Sequence, residues 1–129
     1  MGTFTSPHLT DIRERICLDG ELIGEKAFQQ SFEKVYQVWK KMEKEGMTHP
    51  TFFEYLFYMA AAWFYQVKPD VVILETGMGG RRDVTNICRP DITVITSISL
   101  DHMAYLGNTV EEIAGMLGIK REDVVFALD

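Results

Sequence analysis

The segment 71–80 constrains the fold most, because an unbroken apolar run leads directly into a glycine-rich turn. The run over 71–74 shows no alternation with polar residues, which is typical of a parallel strand covered on both faces. Glu75 follows at the carboxyl end of that strand, where open α/β sheets place their binding sites. Three glycines within 77–80 allow the backbone to approach a ligand closely. The segment predicts a parallel sheet with a site at its edge.

Two helices and a hairpin are predicted before this segment. The stretches 15–18 and 21–23 flank Asp19-Gly20, a strong signal for a β-hairpin. Apolar residues recur at intervals of three and four between Glu25 and Lys44, which predicts an amphipathic helix. The stripe expected to face a core is Phe28, Phe32, Val35, Trp39 and Met42. A second helix, from Pro50 to about Gln66, is apolar on nearly every side and is expected to be buried.

Further strands are predicted after the glycine turn. The apolar run 92–98 leads to Asp101-His102, and 123–128 reads as another strand. A capping box over 109–112 predicts a helix through Leu117. Strands that alternate with helices predict an α/β fold with a partial doubly wound parallel sheet and a small β-hairpin near the N-terminus. The length of 129 residues favours a single domain over 1–129.

Composition excludes several classes of partner. The 13 basic and 19 acidic residues give a net charge of −6, which does not supply the positive field that nucleic acid or an anionic membrane requires. No apolar run approaches the roughly 20 residues that span a bilayer, and the first residues lack the pattern of a signal peptide. We therefore expect a cytoplasmic protein, in which Cys17 and Cys88 are ordinary reduced thiols.

Chemistry-bearing side chains follow the predicted strands. Glu75 and Asp101-His102 end two strands at the same edge of one parallel sheet, so a divalent cation could bind between them. With Mg²⁺, water and substrate phosphates complete the coordination, and the ion neutralises charge in phosphoryl transfer. His102 could instead be a helix-capping or core histidine. Ser6 follows an extended segment, 3–5, and its hydroxyl could serve as a metal ligand or as part of a turn.

Four segments in order resemble the signatures of one family. They are Thr5-Ser6-Pro7-His8-Leu9, His49-Pro50-Thr51-Phe52-Phe53-Glu54, Leu74 to Asn86, and Thr96-Ser97-Ile98-Ser99-Leu100-Asp101-His102. Together they resemble the folylpolyglutamate synthase/dihydrofolate synthase family, relatives of the Mur ligases. The similarity covers about residues 1 to 118 and corresponds to the middle of the family's ATP-binding domain, which is of the P-loop NTPase type.

The resemblance implies an ATP-dependent, ADP-forming amide ligase. A carboxylate of a folate or dihydropteroate would be phosphorylated, and L-glutamate would attack the acyl phosphate, with Mg²⁺ supporting both steps. By motif position, the implied magnesium ligands are Ser6, Glu75 and His102. The implied pterin-contacting residues are Thr51, Phe52, Phe53, Glu54, Arg82, Asp83 and Val84.

Two departures from the family pattern change what is expected of the chain. The family carries a phosphate loop, Gly-x-x-Gly-Lys-Ser/Thr, shortly before the segment that matches 5–9, and here only four residues precede Thr5. A family lysine that becomes a carbamylated magnesium ligand has no counterpart in Ile113–Lys120. The family's glutamate-binding domain is also not represented. We therefore expect a partial ATP-binding domain that is inactive alone.

Alternative interpretations remain open at three places. Thr51 and Glu54 have the spacing of a capping box, with or without ligand contact. The stretch 81–83 could be a solvated charged loop. The whole chain could be a non-catalytic binding or interaction module that forms homo-oligomers through an exposed sheet edge. The glycine turn also resembles an adenosylmethionine-binding turn, although its glycine spacing does not match the dinucleotide pattern.

Overall fold

The computed structural model divides the chain into two compact units, Met1–Glu75 and Thr76–Asp129. The structure describes residues 1–95, 105, 107–109, 112, 113 and 115. In this part of the chain, no helix is long and apolar enough to cross a membrane. Cys17 and Cys88 are free thiols.

The first unit contains a four-stranded sheet with two helices. The strands are β1 (Gly2–Phe4), β2 (Ile16–Leu18), β3 (Glu21–Leu22) and β4 (Val72–Leu74), in the order β3-β2-β1-β4. β1 pairs with β4 in parallel and with β2 in the antiparallel direction, so this sheet is mixed. The predicted α/β architecture and the parallel pairing of the strand that precedes Glu75 are confirmed.

The predicted hairpin joins β2 to β3. Asp19 and Gly20 have φ angles of 52° and 84°, so both lie in the left-handed region. A two-residue turn of this type matches the twist of the flanking strands and favours Asp-Gly. The register pairs Leu18 with Glu21 on either side of the turn, as the sequence predicts.

The first helix, α1 (Glu25–Lys44), has the predicted bounds, but its apolar stripe is only partly buried. Val35 is 9% exposed, whereas Phe32 and Met42 are 46% and 36% exposed. Within the first unit α1 packs mainly against the second helix, and the Tyr55 hydroxyl there donates to the Phe32 carbonyl over 3.2 Å. One neighbouring helix does not cover the whole stripe.

The second helix, α2 (Phe52–Val67), packs its apolar side on the sheet. Phe57 is 1% exposed and lies edge-on to Phe4, with 5.7 Å between ring centroids. The ring of Phe64 approaches Gly2 so closely that an added Cβ would lie 2.8 Å from Cε1. The predicted burial holds for this side, but Phe52 is 59% exposed, because it occupies the first turn of the helix.

The expectation that the strand before Glu75 is covered on both faces is wrong for the described residues. Val72 and Ile73 are 41% and 50% exposed. β4 is the last of the described strands of the sheet, and in the first unit it pairs only with β1. A parallel strand is covered on both faces only when other layers lie above and below it, and here α2 packs chiefly on β1.

Several predicted elements fall partly or wholly beyond the description. Residues 92–94 form no regular strand, and 96–98 lie outside the described residues, as do His102 and the predicted strand 123–128. Part of the predicted cap at 109–112 is present, because the Glu112 main-chain N–H donates to the Thr109 hydroxyl over 3.1 Å. The Glu112 carboxylate accepts from the Asn108 N–H over 2.7 Å rather than from Thr109.

Candidate functional site

The parallel pairing of β1 and β4 places Ser6 beside Glu75. Phe4 pairs with Leu74 in the register, and the Glu75 N–H donates to the Phe4 carbonyl over 2.8 Å. One step further, the Ser6 N–H donates to Glu75 Oε2 over 2.6 Å. The two predicted strand ends therefore meet at one edge of the sheet. Their proposed metal-binding role stays a prediction.

The chemistry at this edge suits a hard cation. Glu75 is exposed and Ser6 is half-buried, so carboxylate and hydroxyl oxygens are accessible together. Oxygen ligands of this type are those that Mg²⁺ takes, often only one or two from the protein. No group of three or more His, Cys, Asp or Glu side chains with metal-binding geometry occurs within the described residues. His102, the third predicted ligand, lies outside them.

A short 3-10 helix, Ile12–Arg15, fixes the loop that follows Ser6. The Ser6-Pro7 peptide bond is cis. Asp11 caps the helix, and the Glu14 carboxylate accepts from the main-chain N–H groups of residues 9, 10 and 11 over 2.7–3.1 Å. Sequence reasoning missed this capping box, although Asp and Glu three positions apart carry its signature.

These hydrogen bonds lower two carboxyl pKa values. The Arg13 guanidinium and its main-chain N–H hold the pKa of Asp11 at about 2, against an ordinary value of 3.8. The main-chain N–H of Leu9 and the Thr10 hydroxyl hold the pKa of Glu14 at about 2, against 4.5. Both groups therefore favour the folded state in their ionised form.

We expect the thermal midpoint of unfolding to fall as the pH is lowered from about 4.5 to about 2. A depressed carboxyl pKa contributes stability above its ordinary value, and this contribution is lost as the pH falls through the folded value. Glu14→Gln should reduce this pH dependence, measured by circular dichroism, whereas Glu45→Gln, at an exposed position, should not. Equal pH dependence in wild type and Glu14→Gln would contradict the role of Glu14.

The predicted capping box at the start of α2 is present. The Glu54 carboxylate accepts from the Thr51 N–H over 2.7 Å and from the Thr51 hydroxyl over 2.8 Å. The Glu54 N–H in turn donates to the Thr51 hydroxyl over 3.3 Å. The capping interpretation is therefore confirmed, and ligand contact by the same residues stays a prediction. Phe53 packs on Phe4, with centroids 5.4 Å apart, whereas Phe52 is largely exposed.

Arg15 was not among the predicted site residues, since no motif marks it. It ends the 3-10 helix and is only 8% exposed. Its Nε–H donates to His8 Nδ1 over 2.9 Å, and its Cζ lies 5.5 Å from the ring centroid of Phe52. The side chain thus connects the loop after Ser6 with the first turn of α2.

In the second unit, Asp83 organises the glycine loop. Its Oδ2 accepts from the N–H groups of Gly77 and Met78 over 3.0 and 3.1 Å. Its Oδ1 accepts from the N–H and the hydroxyl of Thr85 over 2.9 and 2.7 Å, which caps the 3-10 helix Val84–Ile87. Both oxygens of the predicted ligand residue Asp83 are therefore engaged by the loop itself.

The remaining predicted residues of this loop differ in accessibility. Val84 is 9% exposed, whereas Arg82 is exposed, as is its neighbour Arg81. Gly79 and Gly80 have φ angles of 73° and 125°, which L side chains rarely adopt, so glycine is required at this turn. A ligand that reached the loop would find Arg82 rather than Val84.

Known proteins resemble this chain in sequence and structure. The family model described as the Mur ligase middle domain matches residues 23–117. A folylpolyglutamate synthase from Arabidopsis thaliana is 42% identical, over 88% of this chain and 18% of the relative. The dihydrofolate synthase/folylpolyglutamate synthase of Bacillus subtilis is 41% identical, over 96% of this chain and 29% of the relative.

Solved structures show the same similarity. The complex of E. coli FolC with DHPP and ADP has a TM-score of 0.81 at 40% identity, over 90% of this chain and 27% of that chain. The apo form of L. casei FPGS has a TM-score of 0.84 at 32% identity, over 90% of this chain and 28% of that chain. The chain thus spans less than a third of the length of these relatives.

Proposed function

Because the chain belongs to the Mur ligase middle-domain family, we propose that it forms part of an ATP-dependent, ADP-forming ligase that adds L-glutamate to a folate or dihydropteroate. Relatives named as folylpolyglutamate synthases support the reaction, and structures named as complexes with ADP and AMPPCP support the use of ATP. The observation that carries the proposal is the hydrogen bond of 2.6 Å between Ser6 and Glu75. The cytoplasmic location remains a prediction.

Ser6 and Glu75 are the proposed magnesium ligands in the described part of the chain, with His102 as the third. The Ser6 N–H holds one oxygen of the Glu75 carboxylate in place, and this fixes the side chain at the edge of the sheet. A bound magnesium ion would neutralise the negative charge of the phosphates. A carboxylate that is oriented by a main-chain donor pays less ordering cost when it binds a cation.

The proposed pterin-contacting residues have different roles within each of the two units. Phe52 is 59% exposed and offers an aromatic face, while Arg82 offers an exposed guanidinium. Thr51 and Glu54 hold the first turn of α2 through their reciprocal hydrogen bonds. Asp83 shapes the glycine loop, and the half-buried Phe53 and the buried Val84 support their exposed neighbours.

We also propose that residues 1–129 form part of a single ATP-binding domain and do not hydrolyse ATP as an isolated chain. The 129 residues contain no Gly-x-x-Gly-Lys-Ser/Thr sequence. In P-loop enzymes, the main-chain N–H groups and the lysine of that sequence hold the β- and γ-phosphates. Magnesium ligands alone do not position a nucleotide.

A titration of the ¹⁵N-labelled chain with Mn²⁺ tests the metal site. We expect the amide signals of Ser6 and Glu75 to broaden first, because a paramagnetic ion acts on the nearest nuclei. Glu75→Gln should weaken Mn²⁺ binding by about tenfold or more, since the loss of even outer-shell partners costs 10–100-fold at metal sites. Added Mg²⁺ should restore the signals of the wild type by competition.

Glu21→Gln provides the matched control. Glu21 is an exposed carboxylate of β3, at the opposite edge of the same sheet. Its replacement removes the same charge and should leave Mn²⁺ binding unchanged. Equal weakening in both variants would mean that Mn²⁺ responds only to net charge, and the proposed site would be wrong.

A non-catalytic interaction module is the second candidate. The observation that favours it is β4, the outermost described strand, whose Val72 and Ile73 are 41% and 50% exposed. Such an edge can pair with another strand, including that of a second copy. If Mn²⁺ produced no selective broadening at Ser6 and Glu75, this candidate would replace the ligase site.

A further inference from the structure

Arg15 is a buried cation that has no acidic partner among the described residues. It is 8% exposed, and none of the salt bridges among the described residues includes it. Within the described part of the chain, its one side-chain hydrogen bond goes to His8, so no described residue accepts from Nη1 or Nη2. Burial of a charge is costly unless the charge is paired. Arg15 therefore has hydrogen-bonding capacity that the described residues do not fill.

The two carboxylates of the capping box on this 3-10 helix, Asp11 and Glu14, bind other groups. Asp11 forms an ion pair with Arg13, in which Nη2 lies 2.6 Å from Oδ2. Glu14 accepts from the Leu9 N–H and from the Thr10 N–H and hydroxyl. The two arginines of the 3-10 helix therefore differ. Arg13 forms an ion pair with Asp11, whereas Arg15 forms no ion pair with a described residue.

The terminal nitrogens of Arg15 are not completely sealed. Among the described residues, the side-chain nitrogen and oxygen atoms that are sealed and unpaired are Ser31 Oγ and Trp39 Nε1, and the Nη atoms of Arg15 are not among them. The guanidinium thus lies in a largely buried position from which its terminal nitrogens still reach solvent.

Two neighbours hold the guanidinium in a fixed orientation. A guanidinium N–H only donates, so His8 Nδ1 is the acceptor and the ring proton of neutral His8 lies on Nε2. The ring of Phe52 lies 5.5 Å from Cζ, within the range of a cation–π contact. Phe52 is itself 59% exposed. A cation, a hydrogen-bond donor and an open aromatic ring are thus brought together.

We propose that Arg15, His8 and Phe52 form a binding site for an oxyanion, either the carboxylate of an aromatic substrate or a phosphate group. The planar fork of an arginine matches both groups and binds them with two parallel hydrogen bonds. The inference rests on the proposed function for the source of the ligand, because a folate supplies an aromatic ring with carboxylates and ATP supplies phosphates. The site lies at the loop that begins with Ser6.

The test is to titrate the ¹⁵N-labelled 129-residue chain with folate and, separately, with inorganic phosphate. The Nε–H signal of Arg15 should shift with at least one probe. Folate alone would identify a substrate carboxylate, and phosphate would identify a phosphate group. The Nε–H of Arg13, which donates to Asp11, should stay in place in the same spectra. No shift of Arg15 with either probe would overturn the inference.

Two matched variants test how much Arg15 contributes to the affinity for the effective probe. Arg15→Lys keeps the charge but loses the planar fork, so we expect binding of the effective probe to weaken about tenfold. Arg13→Lys, on the same 3-10 helix, should change it by about twofold or less, because Arg13 is already paired with Asp11. Equal affinities in the two variants would contradict the site. The wild-type titration stands even if Arg15→Lys does not fold.

The outcomes separate this inference from the proposed function. If folate shifted signals of the Phe52 amide or the glycine loop while Arg15 stayed in place, the folate-binding function would stand and the Arg15 site would be wrong. If phosphate shifted Arg15 and folate shifted nothing, the oxyanion site would stand and folate binding by this chain would be wrong.

Discussion

Phe57→Ala is expected to lower the free energy of unfolding by about 3–5 kcal/mol, the usual cost of removing a buried phenylalanine ring. Phe57 of α2 is 1% exposed and packs against β1. Its ring lies edge-on to that of Phe4, with 5.7 Å between the ring centroids. The total free energy of unfolding of a native domain is only about 5–15 kcal/mol. The thermal midpoint, followed by circular dichroism, should fall by roughly 12 °C or more.

Tyr65→Ala is the control for this change. Tyr65 is an aromatic residue of the same helix and is 82% exposed. Its replacement should alter the free energy of unfolding by about 0.5 kcal/mol or less. If the two variants lost similar stability, the effect would reflect the helix alone, and the packing of α2 on β1 would not be the core of this unit.

Asp83→Ala is expected to release the glycine loop. The carboxylate accepts two hydrogen bonds from Gly77 and Met78 and two from Thr85. Hydrogen bonds to an ionised group contribute about 1.5–3 kcal/mol each, so their loss should speed amide hydrogen exchange by about 100-fold. The measurement is the exchange rate at Gly77 and Met78 by NMR.

Two further variants test whether the carboxylate acts through these bonds. Asp83→Asn keeps one acceptor oxygen, so its exchange rates should lie between those of wild type and alanine. Asp70→Ala removes an exposed carboxylate of the first unit and should leave the loop unchanged. Unaltered exchange at Gly77 in Asp83→Ala would show that the turn is held by its glycines alone.

Local signals predicted the parts of the fold that depend on few residues. Asp19-Gly20 specified the hairpin, because only certain residues adopt two successive left-handed conformations. The spacing of apolar residues predicted α1 from Glu25 to Lys44 with the observed bounds. Thr51 and Glu54 predicted their capping box, since its two reciprocal bonds span only three residues.

Burial was predicted less well, because it depends on neighbours that the local sequence does not reveal. The apolar composition of β4 predicted two covered faces, yet as the outermost of the described strands it leaves Ile73 50% exposed. Phe32 of α1 is 46% exposed for a similar reason, since a single helix covers only part of the stripe. Composition indicates which residues can be buried, whereas topology decides which of them are.

The candidate site likewise contains residues that motifs identified and residues whose role became evident only from the fold. Motif position identified Ser6 and Glu75, and strand pairing brings them together. Asp83 was identified as a ligand-contacting residue, but its four hydrogen bonds to the loop become evident only from the turn itself. Arg15 carries no motif, and Asp11, which lies on the same 3-10 helix cap, pairs with Arg13 rather than with Arg15.

The pairing of β1 with β4 sets the distance between Ser6 and Glu75, although the two residues are 69 positions apart in the chain. Loops between the hairpin and the helices can lengthen or shorten during evolution without any change at this edge, because the alignment is set by three paired positions in each strand. An insertion of one residue between Phe4 and Ser6 would break it. We therefore expect this fold to tolerate insertions and deletions in loops far from these two strand ends, and not next to them.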